Sequence, residues 1–122
     1  MARCPLVILM ILAASVASNP PALGQTSMPD PATVKAERVT STRALVLCQI
    51  SAVKRLDDRK SDPATIARSM MSACGKQFDE NVRVHSRYLT DGSAGQQKVA
   101  KALRVSSLDG AVQIVLRNRQ IR

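Results

Sequence analysis

A chain of 122 residues with 45% hydrophobic residues and a formal net charge of +9 suffices for one small domain with a thin core. One tyrosine, one phenylalanine and no tryptophan leave aliphatic and methionine side chains to fill that core, with no row of exposed aromatics on which nucleic-acid bases could stack. Three cysteines and one histidine fall short of a four-ligand zinc site in its usual spacings, so no metal and no other cofactor is expected.

The first element is MARCPLVILMILAASVASNPPALGQ. Arg3 and the amino group form a positive n-region, Leu6 to Ala17 are apolar apart from Ser15, and small residues follow at Ser15 and Ala17 or Ala22 and Gly24. That is the pattern of a secretory signal peptide over residues 1–24. A bilayer span needs about 20 apolar residues and this run has about 12. Cys4 precedes the apolar run, whereas a lipoprotein carries its cysteine directly after cleavage. The expected product is exported, periplasmic or secreted, with no transmembrane segment after cleavage. Losing Arg3 takes the charge from +9 to +8, and losing Cys4 leaves two cysteines, which in a short exported chain favours a disulfide.

Pro20, Pro21, Pro29 and Pro31 then crowd a stretch without apolar periodicity. Each lacks an amide donor, so residues 25–33 are predicted to be a disordered proline-rich linker, and residues 34–122 the folded domain. From Val34 to Arg59 helix formers run without proline or glycine, which predicts a first helix ending near Arg59 or Lys60. Ser61 or Asp62 can cap a second helix, with Pro63 in its first turn, where a missing donor costs nothing. So short a connection predicts an antiparallel pair.

In such a hairpin, residues equidistant from the turn face each other. Cys48 and Cys74 are equidistant from residue 61, each about three helical turns away, so a disulfide is predicted between them. The loop of about 27 residues makes it worth roughly 3.5 kcal/mol by the chain-entropy argument. A redox pair would show a Cys-x-x-Cys spacing, which is absent.

Around the second helix, taken to run to about Thr90, Ala67, Met70, Met71, Cys74, Phe78, His85, Tyr88 and Leu89 share one sector of about 100°, with Arg68, Lys76, Arg83 and Arg87 nearly opposite. The first helix carries a wider stripe of Val39, Leu45, Val46, Ile50, Ala52, Val53 and Leu56, with Cys48 at one margin. A stripe that wide contacts two neighbours, so a third element or a partner subunit should cover the flank away from Cys48. The third element is predicted from Gln96 to about Leu108, with a break at Asp109-Gly110 and a further helical piece from Ala111. The fold expected is therefore all-α: a disulfide-stapled antiparallel helical hairpin plus a C-terminal third helix broken near Gly110.

Nucleophilic catalysis needs an activated serine or thiol with a base and an orienting group, and no serine sits in a nucleophile-elbow motif. His85 reads as a packed, hydrogen-bonded core histidine. Asp57-Asp58 diverge by about 100° on a helix beside Lys54, Arg55, Arg59 and Lys60, a solvated helix end and not a catalytic carboxylate pair. With no phosphate loop or metal motif either, there are no catalytic residues to nominate and the chain reads as a non-enzyme.

Positive charge carries the functional signal. Arg68, Lys76, Arg83 and Arg87 line one helix face, and Lys98, Lys101, Arg104, Arg117, Arg119 and Arg122 charge the tail against Asp109 alone. These residues, Arg122 apart, are the candidate anion-binding set. Such a field attracts polyanions; in an exported protein the expected partners are an anionic envelope component or an acidic protein, with no nucleic acid. The plainer alternative is that the charge keeps a small domain soluble.

Cys48, Leu56-Asp57-Asp58, Ser61-Asp62-Pro63-Ala64, Ile66-Ala67 and Cys74 resemble small secreted proteobacterial proteins of unknown function, in which a cysteine-bearing helix meets a second through an Asp-Asp and Ser-Asp turn. The resemblance covers about 45 residues of the hairpin and implies export and a helical hairpin, with no catalytic residues to carry over. Two functions follow as expectations. One is an envelope or periplasmic binding module using basic helix faces. The alternative is a structural or chaperone-like interaction protein using the apolar flank of the first helix, as a homodimer or with another protein.

Overall fold

The computed structural model describes residues 29–89 and 92–121; the predicted signal peptide and linker residues 25–28 lie outside them. Among the described residues there are four helices and no strand: α1 (Pro31–Leu56), α2 (Pro63–Ala73), α3 (Gly75–Ser86) and α4 (Gly92–Gln120). α1 runs antiparallel to α2 and α3, and α4 lies across all three. The all-α hairpin is as expected; four of its boundaries are not.

The first concerns the start of α1. Asp30 caps it, its carboxylate accepting from the Thr33 amide at 3.3 Å, and Pro31 occupies the first turn. The second hairpin helix opens identically, with Asp62 accepting from the Ala64 and Thr65 amides and Pro63 following. Both starts are the tetrapeptide Asp-Pro-Ala-Thr, at residues 30–33 and 62–65. Pro31 therefore begins a helix instead of belonging to a linker, because proline suits the one turn where its absent donor has no partner to lose.

The second concerns the connection. α1 stops at Leu56, earlier than predicted, and Arg59 takes a left-handed conformation with φ 59°. Asp57 and Asp58 build the turn: Asp57 accepts from the Arg59 amide at 3.0 Å, and Asp58 from the Lys60 and Ser61 amides at 2.9 and 2.8 Å. Short carboxylates that bond their own downstream backbone compete with the helix and end it. The Asp pair is thus a folding device at the helix end, with Asp58 exposed as expected and the Asp57 side chain covered.

The third concerns α4, which runs unbroken through Gly110 and corrects the predicted break. Gly110 is exposed, and a side chain there would meet nothing within 4 Å. Glycine inside a helix costs about 1 kcal/mol, whereas Ala111 and Val115 just beyond it are fully buried. Their burial outweighs that cost. The stripe continues through Ser107, whose carbonyl accepts from the buried Gln49 side chain at 3.3 Å; a polar residue on the inner face concealed the periodicity.

Cys48 and Cys74 are joined, with Cα atoms 5.9 Å apart. At Cys74 the chain leaves helical geometry for one residue (φ −101°, ψ 20°), so the predicted second helix is two, α2 and α3, and the latter ends at Ser86. Beyond Cys74, Asn81, Val82 and Val84 are buried, while Leu89 is exposed and His85 and Tyr88 are half-buried. The core is Leu45, Ala52 and Val53 of α1, Ile66, Ala67 and Met70 of α2, Cys74, Phe78 and Val82 at α3, and Ala111 and Val115 of α4.

Candidate anion-binding groove

The nine candidate cations meet three fates. Three find carboxylate partners within the fold. Arg119 donates through Nε and Nη2 to Asp57 at 3.1 and 2.8 Å and through Nη2 to the Ser61 carbonyl at 2.8 Å, and Asn118 donates to the same carboxylate at 3.2 Å. The Asp57 side chain is fully covered, and the Arg119 hydrogen bonds hold its carboxyl at about 2 despite the opposing cost of burial. Arg119 is therefore a latch that ties the end of α4 to the α1–α2 turn. Arg87 bonds Glu37 across the α1–α3 seam at 2.9 Å, and Tyr88 donates to the same carboxylate at 3.3 Å. Arg83 pairs with Glu80 one turn earlier on an exposed face, a contact worth little in water.

Lys76, Lys98, Lys101 and Arg117 are exposed and unpaired among the described residues. They add to the field without converging on a shared site.

Arg68 and Arg104 converge without carboxylate partners, whereas Arg83 and Arg87 line a second groove together with Glu80 and Glu37. Arg68, Ser72, Gly75 and Asp79 succeed one another at spacings of four, three and four along α2 and α3, so they share a stripe. With Met71, Phe78, Arg104 and Leu108 they line a groove of about 500 Å³ between that stripe and α4. Gly75 opens it, since a side chain there would meet no atom within 4 Å. Met71, Phe78 and Leu108 make an apolar floor. The Arg104 guanidinium stands 5.3 Å from the centre of the Phe78 ring, a cation–π contact that orients it without using its hydrogen-bond donors. Neither arginine has a salt-bridge partner among the described residues. Asp79 is the one acid in the lining, so an anion is favoured between the arginines and away from that carboxylate.

His85 lies at the α1–α3 seam. Its Nε2 is 3.4 Å from the Thr42 hydroxyl, which also accepts from Asn81 at 3.1 Å, and its carbonyl accepts from Arg38 at 3.4 Å. Burial, then the Arg38 charge, push its pKa below the usual histidine value. These contacts give it packing and hydrogen-bonding partners in a half-buried position, outside the groove.

Sequence reasoning placed Arg68 on a basic face and Phe78 in the core but missed the groove that joins them to Arg104. The stripe of Arg68, Ser72, Gly75 and Asp79 was the available signal. Contact with Arg104, 36 positions downstream of Arg68, needed the tertiary fold.

No family model, curated protein or solved structure matches the chain.

Proposed function

We propose that this protein is a non-enzymatic, exported helical binding module that holds an anionic envelope component between Arg68 and Arg104. The observation that carries the reading is the sorting of the arginines. Arg83, Arg87 and Arg119 are committed to Glu80, Glu37 and Asp57, while Arg68 and Arg104 share a groove with an apolar floor. Two guanidinium groups recognise phosphate or carboxylate oxygens with directed hydrogen bonds, and Met71, Phe78 and Leu108 suit an attached apolar chain. An anionic amphiphile matches both halves. The disulfide supports export, since such bonds persist in oxidising compartments.

The test is a titration of dihexanoyl phosphatidic acid into the isotope-labelled oxidised chain 25–122, followed by NMR. That chain retains all the core residues, which lie between Leu45 and Val115. Shift changes at Ser72, Gly75 and Phe78 are expected, weakening as salt rises. Arg68→Glu with Arg104→Glu should abolish them, and Arg117→Glu should leave them. Changes confined to Lys98, Lys101 and Arg117, or none, would remove the groove from consideration.

A further inference from the structure

α1 presents a second surface, sharing no residue with the groove. Val39, Val46, Leu47 and Ile50 are 59%, 39%, 55% and 40% exposed. Two shallow depressions that share Arg38 and Val39 join into one band: Thr42, Val46 and Leu47 line one, and Pro29, Pro31, Val34 and Tyr88 the other. From Val34 to Ile50 it extends about 24 Å along the helix.

The charge interleaved with this band has one sign. Lys35, Arg38 and Arg43 line the depressions, and Lys54 follows Ile50 by one turn. None of the four has a salt-bridge partner among the described residues. The one acid of α1, Glu37, is committed to Arg87 and Tyr88. A second copy docked here would set Arg43 and its neighbours against the same cations, a repulsive arrangement. An aliphatic strip interspersed with lysine and arginine, whose long stems carry their charges outward, with a tyrosine at one end, matches the interface of an anionic bilayer. No described helix is long and apolar enough to cross a membrane, so the contact is a surface one.

We propose that α1 seats the protein on an anionic lipid surface, with Val39, Val46, Leu47 and Ile50 entering the acyl boundary and the exposed Lys35, Arg43 and Lys54 among the headgroups, while Arg38 stays on the His85 carbonyl. This goes beyond the groove and stands without it. Co-sedimentation of the oxidised chain 25–122 with phosphatidylglycerol-containing vesicles, against vesicles of phosphatidylcholine alone, tests it. The protein should pellet with the anionic vesicles only. Val46→Glu with Leu47→Glu should reduce pelleting to the neutral-vesicle level. Arg43→Glu, a change of two charges, should weaken it roughly thirtyfold. Arg68→Glu with Arg104→Glu should leave pelleting largely intact, which separates this surface from the groove. Far-UV circular dichroism confirms that each exposed-site variant is folded. Pelleting unaffected by Val46→Glu with Leu47→Glu, or abolished by the groove variant alone, would overturn the proposal. So would a concentration-dependent dimer that Val46→Glu with Leu47→Glu dissociates, because the occupant would then be a second copy.

Discussion

Reduction of the Cys48–Cys74 disulfide should be the most damaging mild perturbation of this fold. The bond joins α1 to the junction of α2 and α3, closing a loop with a sequence separation of 26. Reduction leaves both thiols where the folded chain already holds them, Cys74 fully buried and Cys48 half-buried. The main effect is to free the unfolded chain, and loop-closure entropy puts that at roughly 3.5 kcal/mol. A domain of about 95 residues unfolds with an entropy near 0.2 kcal/mol/K, so Tm should fall by roughly 15–20 °C. The assay is a pair of thermal melts by circular dichroism at constant pH, with and without reductant, and thiol labelling to confirm each state. A difference below about 5 °C would refute the reasoning: the helices would then be held by packing, with little constraint from the bond in the unfolded state.

Three further outcomes follow from named contacts. Asp57 has its carboxyl held at about 2 against an ordinary 3.8, so the unfolded chain takes up its proton first as pH falls. Its contribution is present above pH 4 and lost between about 4 and 2; Asp57→Asn should flatten urea-denaturation stability in that window, and an unchanged profile would refute the latch. Gly110→Ala should raise stability by about 0.5–1 kcal/mol, since the position is exposed and open within a continuous helix; a loss on denaturant titration would restore the break in α4. Met70→Ala, at a fully buried side chain, should cost about 2–5 kcal/mol by the same titration, and a loss under about 1 kcal/mol would mean that the core closes around the gap.

Local chemistry was readable wherever cause and effect lie within a few residues. Asp62-Pro63 marked a helix start because a cap and a first-turn proline act on their own backbone. The same pair at Asp30-Pro31 was equally readable but was obscured by neighbouring prolines. The wide stripe on α1 was visible as a period, and its division was not: Val53 is core while Val39 and Ile50 are exposed, because α2, α3 and α4 together cover only part of the sector. The nine cations were likewise visible as charge, but their partners were not. Arg119 meets Asp57 across 62 positions, and Arg87 meets Glu37 across 50.

By itself, then, the sequence determined an all-helical hairpin, the position of its turn and the pairing of Cys48 with Cys74, because helix geometry converts spacing along the chain into level along an axis. The tertiary structure alone decided that Gly110 stays helical, that Cys74 interrupts a helix and that Arg68 and Arg104 share a groove. Each of these depends on burial or contact between elements distant in sequence, whose energies exceed the local preference of a single glycine or the average field of a basic face.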